Sequence, residues 1–369
     1  MTATPSIAQT YKGLRVLVTG HTGFKGAWLS LWLSEIGAHV AGYSKSVPTT
    51  PAAFDIFGAG AVERDLRGEI TDAPAVLAAM QDFAPDLVFH LAAQPIVRRA
   101  VRDPLESFSV NVIGTAAVLE AVRRTPSVRA CLVITSDKVY LNDNAGRAFT
   151  EDDRLGGHEP YGASKAAAEI VTATYRSAGF HRGAGSANPC VVATARAGNV
   201  IGGGDWAADR LIPDAVRAIT GGTPIVIRNP RATRPWQHVL EPLGGYLLFA
   251  DRLLAAPDKA PAALNFGPGA EAEQDVETVV RRFLDDMQPF GAELRIEPDT
   301  SGAEAVKLMV DSSLARRTLG WAPAWTWEQA IARIADWHRA HLSDERDLAG
   351  LARAQIKAYR EGGTVDAFR

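Results

Sequence analysis

A tyrosine and a lysine with the spacing of a proton-transfer pair lie in the segment YGASKAAAE, residues 161–169. Four positions separate Tyr161 from Lys165, so on a helix both side chains occupy the same face. An ammonium beside a phenol stabilises the phenolate, which can then accept a proton from a substrate hydroxyl. Because this spacing also occurs on ordinary helix surfaces, the rest of the chain must decide whether the pair is functional.

A glycine-rich segment, VTGHTGFKG, contains Gly20, Gly23 and Gly26. It follows an apolar stretch typical of a strand and precedes a stretch typical of a helix. Glycines at such a junction permit a tight turn and let backbone N–H groups approach a pyrophosphate at the positive end of the helix. The segment therefore predicts a dinucleotide-binding loop. Its other residues predicted to contact the cofactor are Thr22, Phe24 and Lys25.

The elements that must position these groups follow an alternating pattern. Predicted strands occupy 15–20, 39–44, 61–66, 86–93, 130–136 and 190–198, with helical patterns between them. Apolar strands separated by helices predict an α/β fold with a doubly wound parallel Rossmann sheet. Gly/Pro-rich loops beyond residue 200 predict a smaller C-terminal α/β substrate lobe over the carboxyl ends of the strands. The predicted bounds are 1–198 plus about 239–267 for the dinucleotide-binding domain, and 199–238 plus 268–369 for the substrate lobe.

The composition narrows the classes of function. The chain has 369 residues and a formal net charge of −3, which disfavours a strongly basic nucleic-acid binder. Two cysteines, Cys131 and Cys190, are too few for a disulfide framework or a cysteine zinc site, and the histidines form no metal cluster. No apolar leader and no run of about 18 apolar residues is found. We expect a soluble, cytoplasmic protein with no membrane association and no metal.

These features together resemble the extended short-chain dehydrogenase/reductase family. The resemblance rests on the G-x-x-G-x-x-G spacing, the downstream Tyr161–Lys165 pair, and the segments HLAAQ (90–94) and NVIGT (111–115). Six blocks in order also resemble the nucleotide-sugar 4,6-dehydratases acting on CDP-glucose, over nearly the whole chain. The blocks are GHTGFKGAWLSLWL, TSDKVY, EDDRLGGHEPYGASKAAAE, RAGNVIGGGDWA, RNPRATRPWQHVLEPL and DSSLARRTLGW.

The resemblance implies a reaction and a catalytic set. The sugar is oxidised at C4, water is lost across C5 and C6, and the hydride returns to C6. Tyr161 would take the 4-hydroxyl proton, Ser136 would orient that hydroxyl, and Lys165 would lower the pKa of the phenol and hold the nicotinamide ribose.

Elimination of water needs a further acid and base. Relatives usually carry Thr-Asp-Glu where this chain has Ser136, Asp137 and Lys138. Asp137 is the expected acid for the departing 6-hydroxyl, and Lys138 is the expected C5 base. A lysine base must be neutral, which requires burial or neighbouring positive charge. The alternative is a charged Lys138 that stabilises the enolate while another group or water takes the proton.

NAD is the cofactor that the resemblance implies. Asp65 is expected to bind the adenine amino group. The segment 42–45 lacks the acid that usually binds the adenosine ribose hydroxyls, so the sequence itself leaves NADP open. The other implied cofactor contacts are Tyr43, Leu66, Leu91, Ala92, Ala93, Tyr161 and Lys165.

Substrate recognition is assigned to loops of the C-terminal lobe. Arg228 and Arg234 can bind a diphosphate through bidentate hydrogen bonds, and Trp236 can flank the base. Each of these residues has ordinary loop packing as its alternative. The other implied substrate contacts are Gln94, Asn199, Arg210 and Lys307, with His158 and Glu159 as further candidates for the sugar.

Other functions remain open at this point. The first is a 4-epimerase or a dehydratase for dTDP-, GDP- or UDP-sugars. The second is a noncatalytic dinucleotide-sensing protein, which the retention of Ser136, Tyr161 and Lys165 disfavours. The resemblance also implies a homodimer formed through the helix that carries Tyr161, and a place in deoxysugar biosynthesis of the O-antigen and lipopolysaccharide type.

Overall fold

The computed structural model describes residues 6–143, 146–177, 190–297, 308–344 and 347–362. Lys307, predicted to contact a diphosphate, lies outside the described residues. The strands are β1 (Arg15–Thr19), β2 (His39–Ser44), β3 (Arg64–Arg67), β4 (Leu87–His90), β5 (Ala130–Ile134), β6 (Ala148–Phe149), β7 (Val191–Ala197), β8 (Val200–Ile201), β9 (Ile225–Ile227), β10 (Thr233–Pro235), β11 (Gln237–His238), β12 (Ala263–Phe266), β13 (Glu273–Asp275), β14 (Leu294–Ile296) and β15 (Met309–Val310).

Helices connect and cover these strands. The α-helices are α1 (Ile7–Tyr11), α2 (Phe24–Glu35), α3 (Ala73–Phe83), α4 (Val97–Arg102), α5 (Pro104–Phe108), α6 (Gly114–Arg124), α7 (Pro160–Arg176), α8 (Leu211–Gly221), α9 (Leu240–Ala255), α10 (Val276–Asp286), α11 (Ser313–Leu319), α12 (Trp327–Leu342) and α13 (Leu348–Gly362). Short 3₁₀ or π turns lie at Phe54–Gly58, Ala59–Ala61, Ser109–Ile113, Asp137–Val139, Pro257–Lys259 and Ala270–Ala272.

The central sheet has seven parallel strands in the order β12-β7-β5-β4-β1-β2-β3. This confirms the predicted doubly wound α/β fold. The order reverses between β1 and β4, so the loops that follow these two strands diverge at the carboxyl edge of the sheet. Ligands of doubly wound folds bind at such a reversal.

Both faces of the sheet are covered, as the continuous apolar strands predict. Along β1, Val16 and Val18 pack into the core on one face, whereas Leu17 packs into the core on the other. Helix α2 covers the first face and is apolar on all sides, with Trp28 and Trp32 fully buried. Burial of large apolar side chains stabilises the fold by about 1.5–3 kcal/mol each, so this face anchors the start of α2 firmly.

The C-terminal part has its own apolar core and also returns to the sheet. Helices α8, α10 and α12 surround a core that includes Val216, Phe283 and Ile331. Helix α13 instead lies against α2, where the rings of Trp32 and Tyr359 are 5.4 Å apart. The last helix, expected in the substrate lobe, thus contacts both α12 and α2. The predicted lobe boundaries stay predictions.

Three further features bear on function. The helical stretch Pro104–Arg124 has the length and apolar composition of a membrane-crossing helix, and half of its most apolar window is buried. Cys131 and Cys190 are buried free thiols. Within the described ranges, no group of three His, Cys, Asp or Glu side chains is arranged to hold a metal ion.

Candidate active site

The glycine loop joins β1 to α2 at the point where the sheet order reverses. Gly20 has a positive φ of 75°, and a Cβ there would lie 2.7 Å from the backbone nitrogen of Ala92. A Cβ at Gly26 would clash with the carbonyl oxygen of Gly20. Gly23 caps α2 without a side-chain hydrogen bond, so the first N–H groups of the helix remain free to bind an anion. This loop fits a dinucleotide pyrophosphate.

A histidine that the sequence reasoning did not single out organises one side of this loop. His21 is fully buried, with Nε2 2.8 Å from the Asp65 carboxylate and Nδ1 3.0 Å from the Ser44 hydroxyl. Arg67 also pairs with Asp65, at 2.6 Å. Asp65 lies inside β3. Its carboxylate is thus shared with His21 and Arg67 beside the place expected for adenine.

Other predicted cofactor residues support the loop and the adjoining cores. The carbonyl of Tyr43 accepts from the N–H of Gly20 at 2.9 Å, while the Tyr43 ring is buried. Thr22 is buried, and its hydroxyl donates to the carbonyl of Ser46 at 2.8 Å. Phe24 and Leu66 are partly buried beside the two sheet cores.

The loop after β4 forms the opposite wall. The N–H groups of Leu91 and Ala92 bond Thr19, and Ala93 continues the half-buried loop. The His90 ring lies between the hydroxyls of Thr19 and Thr115, at 2.7 and 3.0 Å, and burial lowers its pKa to about 3. The neutral His90 ring therefore fixes the end of β4, the strand that pairs directly with β1.

Ser136, Asp137 and Lys138 form a tight turn at the carboxyl end of β5. The Ser136 hydroxyl donates to the Asp137 carboxylate at 3.0 Å and accepts from the Lys138 N–H at 3.2 Å. Asp137 is only 7% exposed, and burial raises its pKa. A Cβ at Gly198 would approach Asp137 Oδ2 to 2.8 Å, so this glycine leaves room for the carboxylate. Lys138 is half-buried.

Tyr161 begins helix α7 against this turn. Glu159 caps the helix by accepting from the N–H groups of Tyr161 and Gly162, at 2.7 and 2.8 Å, so both of its oxygens already have partners. Burial raises the pKa of Tyr161 to about 12, while the interaction with the Ser136 hydroxyl and the charge of Arg210 act in the opposite direction. The phenol therefore needs additional positive charge before it can serve as a base at neutral pH.

Lys165 lies one turn further along α7 and is buried. Its ammonium donates to the carbonyl of Ile134 at 2.9 Å, which holds it at the end of β5. Burial lowers its pKa to about 8, and the carboxylate of Glu169 opposes that change. Glu169 in turn forms a buried ion pair with Arg196 at 2.8 Å. Helix α7 is thus tied to β5 and β7.

Cationic side chains from three elements face the same cleft. Lys25 of α2 interacts with Arg210 and Asp137, and Arg234 of β10 also interacts with Asp137. Arg210 is itself held by Asp205, at 2.8 Å. One buried carboxylate surrounded by several cations suits a substrate that carries negative charge, such as a diphosphate.

Other predicted substrate residues are placed differently. Gln94 is buried, and its side chain bonds Ser107 at 2.8 Å and Ile96, inside the protein. Trp236 is 5% exposed, lies in the C-terminal core and donates to the carbonyl of Gln274. These placements favour packing roles for both side chains. Asn199 and Arg228 are exposed.

Asn111 is a second residue whose role the sequence reasoning missed. Its side chain accepts from the N–H of Gln94 at 2.8 Å and donates to the Ser164 hydroxyl at 2.8 Å. Ser164 donates to the carbonyl of Tyr161 at 2.7 Å. This chain links the loop after β4 to the first turn of α7. The only sequence signal was its place in NVIGT.

The chain is similar in sequence to known nucleotide-sugar dehydratases. The family model described as GDP-mannose 4,6 dehydratase matches residues 17–334. The chain belongs to this family. CDP-glucose 4,6-dehydratase of Salmonella typhimurium is 40% identical over 354 residues, covering 96% of this chain and 98% of that protein. dTDP-glucose 4,6-dehydratase of Xanthomonas campestris pv. campestris is 28% identical, covering 95% and 99%.

Solved structures have the same fold. MoeE5 in complex with UDP-glucuronic acid and NAD is 25% identical with a TM-score of 0.72, covering 89% of this chain and 99% of that one. DesIV, a dTDP-glucose 4,6-dehydratase from Streptomyces venezuelae solved with NAD, is 24% identical with a TM-score of 0.74, covering 89% and 98%. Together with the family match, these findings confirm the resemblance to the extended short-chain dehydrogenase/reductase family.

Proposed function

We propose that this protein is an NAD-dependent hydro-lyase that converts CDP-D-glucose to CDP-4-keto-6-deoxy-D-glucose. The observation that carries the proposal is the Ser136 hydroxyl, which bonds Asp137 at 3.0 Å and interacts with Tyr161, beside a dinucleotide loop. The identity of 40% with the Salmonella typhimurium CDP-glucose 4,6-dehydratase, over 96% of the chain, supports the choice of reaction and of cytidine.

The cofactor residues fit NAD. Gly20, Gly23 and the free first turn of α2 would hold the pyrophosphate, Asp65 would hold the adenine end, and Lys165 would hold the nicotinamide ribose. Lys45 at the end of β2 pairs with Glu69, and this acid disfavours a 2′-phosphate. NAD supplies the hydride acceptor for C4 and the hydride donor for C6.

Oxidation at C4 begins with proton transfer from the sugar hydroxyl to Tyr161. Ser136 orients this hydroxyl. The charge of Arg210 favours the phenolate. Lys165, whose ammonium donates to the carbonyl of Ile134 at 2.9 Å, would add positive charge from the next turn of α7. The ketone formed at C4 makes the C5 proton acidic.

Elimination then uses the rest of the turn after β5. Lys138 takes the C5 proton, and Asp137 protonates the departing 6-hydroxyl. Burial raises the pKa of Asp137, and this direction favours the protonated form that an acid needs. Lys138 returns its proton to C5 when C6 is reduced, so no proton is lost at that carbon.

After these steps, one further proton transfer is needed to restore Tyr161 and Asp137 to their starting states. Tyr161 has gained a proton from the 4-hydroxyl, and Asp137 has lost one to the leaving water. Ser136 contacts both groups and donates its own proton towards Asp137, at 3.0 Å. We assign to Ser136 the relay that returns the proton from Tyr161 to Asp137 and resets the site without bulk water.

The positive charges of the arginines in the cleft indicate where the diphosphate of the substrate would bind. Arg210 and Arg234 face the cleft and would bind the diphosphate, with exposed Arg228 and Asn199 at the rim. We place the reaction in deoxysugar biosynthesis, including that of O-antigen lipopolysaccharide. We also place it in the cytoplasm.

A homodimer is supported by an exposed apolar patch on α4, α5, α7 and the π turn between α5 and α6. Its most exposed member, Leu105, is 82% exposed. The other members are Val101, Phe108, Ile113 and Ile170. Exposed apolar side chains on neighbouring helices are typical of protein interfaces, and a second copy of the chain would cover them. The patch includes part of the stretch with the composition of a membrane-crossing helix.

The test is incubation of the purified protein with NAD and, separately, CDP-, dTDP-, GDP- and UDP-glucose. We expect a 4-keto-6-deoxy product, detected by mass spectrometry as loss of one water, from CDP-glucose in preference to the others. A product with unchanged mass and inverted C4 would instead make the protein an epimerase. Binding of NAD with no conversion of any sugar would favour a dinucleotide-sensing protein.

A further inference from the structure

A second amine–phenol pair lies in the same cleft as Tyr161 and Lys165. Lys25, in the first turn of α2, has Nζ 3.5 Å from the hydroxyl of Tyr246 and 5.8 Å from the centre of its ring. Tyr246 lies on α9, is fully buried, and packs edge-on against Phe266. The Lys25 amine is therefore anchored inside the protein and does not extend into solvent.

The charged groups around the Lys25 amine change its pKa. Burial and the nearby Arg210 lower the pKa of Lys25 to about 7, whereas Asp137 opposes this. Within the described part of the chain, no carboxylate forms a direct ion pair with Lys25. The charged and titratable groups facing Asp137 are Lys138 from its own turn, Lys25 from α2, Tyr161 from α7, Tyr246 from α9 and Arg234 from β10.

We infer that Lys25 is a positioning residue that stabilises the carboxylate left when Asp137 gives up its proton, with Tyr246 fixing the amine. The inference rests on the proposed function, in which Asp137 protonates the departing 6-hydroxyl. In that step the electron pair of the C4 enolate forms the C5=C6 bond and C4 becomes a ketone again, the C6–O bond breaks, and the Asp137 proton moves to the departing hydroxyl to form water. Lys25 transfers no proton.

The physical reason is the burial of Asp137. A carboxyl in a site that excludes water holds its proton firmly, because the ionised form is poorly solvated. An ammonium beside Asp137 stabilises the charge that develops as the proton leaves, and that charge in turn favours the protonated form of Lys25. Lys25 interacts with Asp137, the acid of the elimination, so we expect its removal to affect that step.

The test compares Lys25→Met, Lys25→Arg and Tyr246→Phe, with Lys12→Met as the control at an exposed lysine. The direct readout, in holoenzyme, is the infrared band of the protonated Asp137 carboxyl, identified by its loss in Asp137→Asn. We expect it to titrate about one pH unit higher in Lys25→Met, and near the wild-type pH in Lys25→Arg and Lys12→Met. Tyr246→Phe should give a smaller upward shift. This readout does not require turnover.

Turnover supplies the second readout. In Lys25→Met we expect kcat to fall about 10-fold with KM nearly unchanged, and the alkaline limb of the pH profile to move to higher pH with the carboxyl. An unmoved carboxyl titration, with weaker equilibrium binding of NAD in Lys25→Met, would overturn the inference and leave Lys25 as a cofactor contact. If the wild type makes no keto sugar, the proposed function fails, yet the infrared titration still decides whether Lys25 controls Asp137.

Discussion

The Ser136 hydroxyl lies 3.0 Å from the Asp137 carboxylate and also hydrogen-bonds Tyr161. One hydroxyl thus connects the group expected to accept the C4 proton with the group expected to release a proton to the leaving water. In an oxidation followed by elimination, Tyr161 ends each cycle with one additional proton and Asp137 ends it with one fewer. The contact gives the site a direct way to restore them.

Removal of the phenol hydroxyl tests the first step. In Tyr161→Phe we expect formation of the 4-keto sugar to fall by roughly 10²–10⁴-fold, because the C4 hydroxyl loses its base. Binding of NAD, measured by calorimetry, should stay nearly intact, since the ring remains in place. Tyr175→Phe, on the same helix but outside the cleft, is the matched control and should retain full activity. Full turnover in Tyr161→Phe would remove this tyrosine from the mechanism.

Replacement of Lys138 by methionine tests the C5 base. Met keeps the length of the side chain and removes the amine, so C5 should no longer exchange its hydrogen with solvent. We expect mass spectrometry to show no deuterium at C5 when the variant is supplied with 4-keto-glucose nucleotide in deuterated water. Undiminished exchange would exclude Lys138 as the base and favour a role in stabilising the enolate.

The buried histidines predict sensitivity to acid. Burial lowers the pKa values of His90, His238 and His338 to about 3. The unfolded chain binds protons near pH 6.5, whereas the folded chain does not, so the stability is present above that pH and is lost as the pH falls towards 3. Each histidine contributes about 1.4 kcal/mol per pH unit to this loss.

One of these histidines can be replaced without removing a hydrogen bond among the described residues. His338 has no hydrogen-bond partner among the described residues and packs against Trp206, Trp337 and Phe283. In His338→Phe, urea unfolding between pH 6 and 4 should lose about 1.4 kcal/mol per pH unit of its acid dependence. An unchanged dependence would show that this ring does not titrate differently on folding.

The apolar patch around Leu105 predicts the oligomeric state. Leu105→Asp should place a charge in the interface and convert the protein to monomers in sedimentation velocity experiments. Val226→Asp, at an exposed position of the C-terminal part, is the control and should leave the assembly unchanged. A wild-type protein that sediments as a monomer would contradict the dimer.

The regular elements could be predicted from sequence because local pattern determines them. The glycine loop and the apolar runs around β1 and β5 give the strand and turn positions directly. Strand β4, predicted over 86–93, stops at His90, where the ring is held between Thr19 and Thr115. That contact joins residues distant in sequence, so no local pattern contains it.

The candidate site shows the same limit. Ser136, Asp137 and Lys138 are adjacent in sequence, and their turn could be anticipated. The contact between Lys25 and Tyr246 spans 221 positions. His21 next to Gly20 is an unusual residue in a glycine loop, but its pairing with Asp65 depends on how β1 lies beside β2 and β3. The side chain of Gln94 is satisfied internally, which no motif indicates.

The most direct measurement follows the hydrogen that begins on C4 of the sugar. CDP-glucose deuterated at C4 is incubated with the holoenzyme, and the product is analysed by NMR and mass spectrometry. We expect a 4-keto sugar that has lost one water and carries the deuterium on C6, with no accumulation of reduced cofactor. A product that has not lost the mass of one water, or that carries no deuterium at C6, would contradict a dehydration with hydride transfer from C4 to C6.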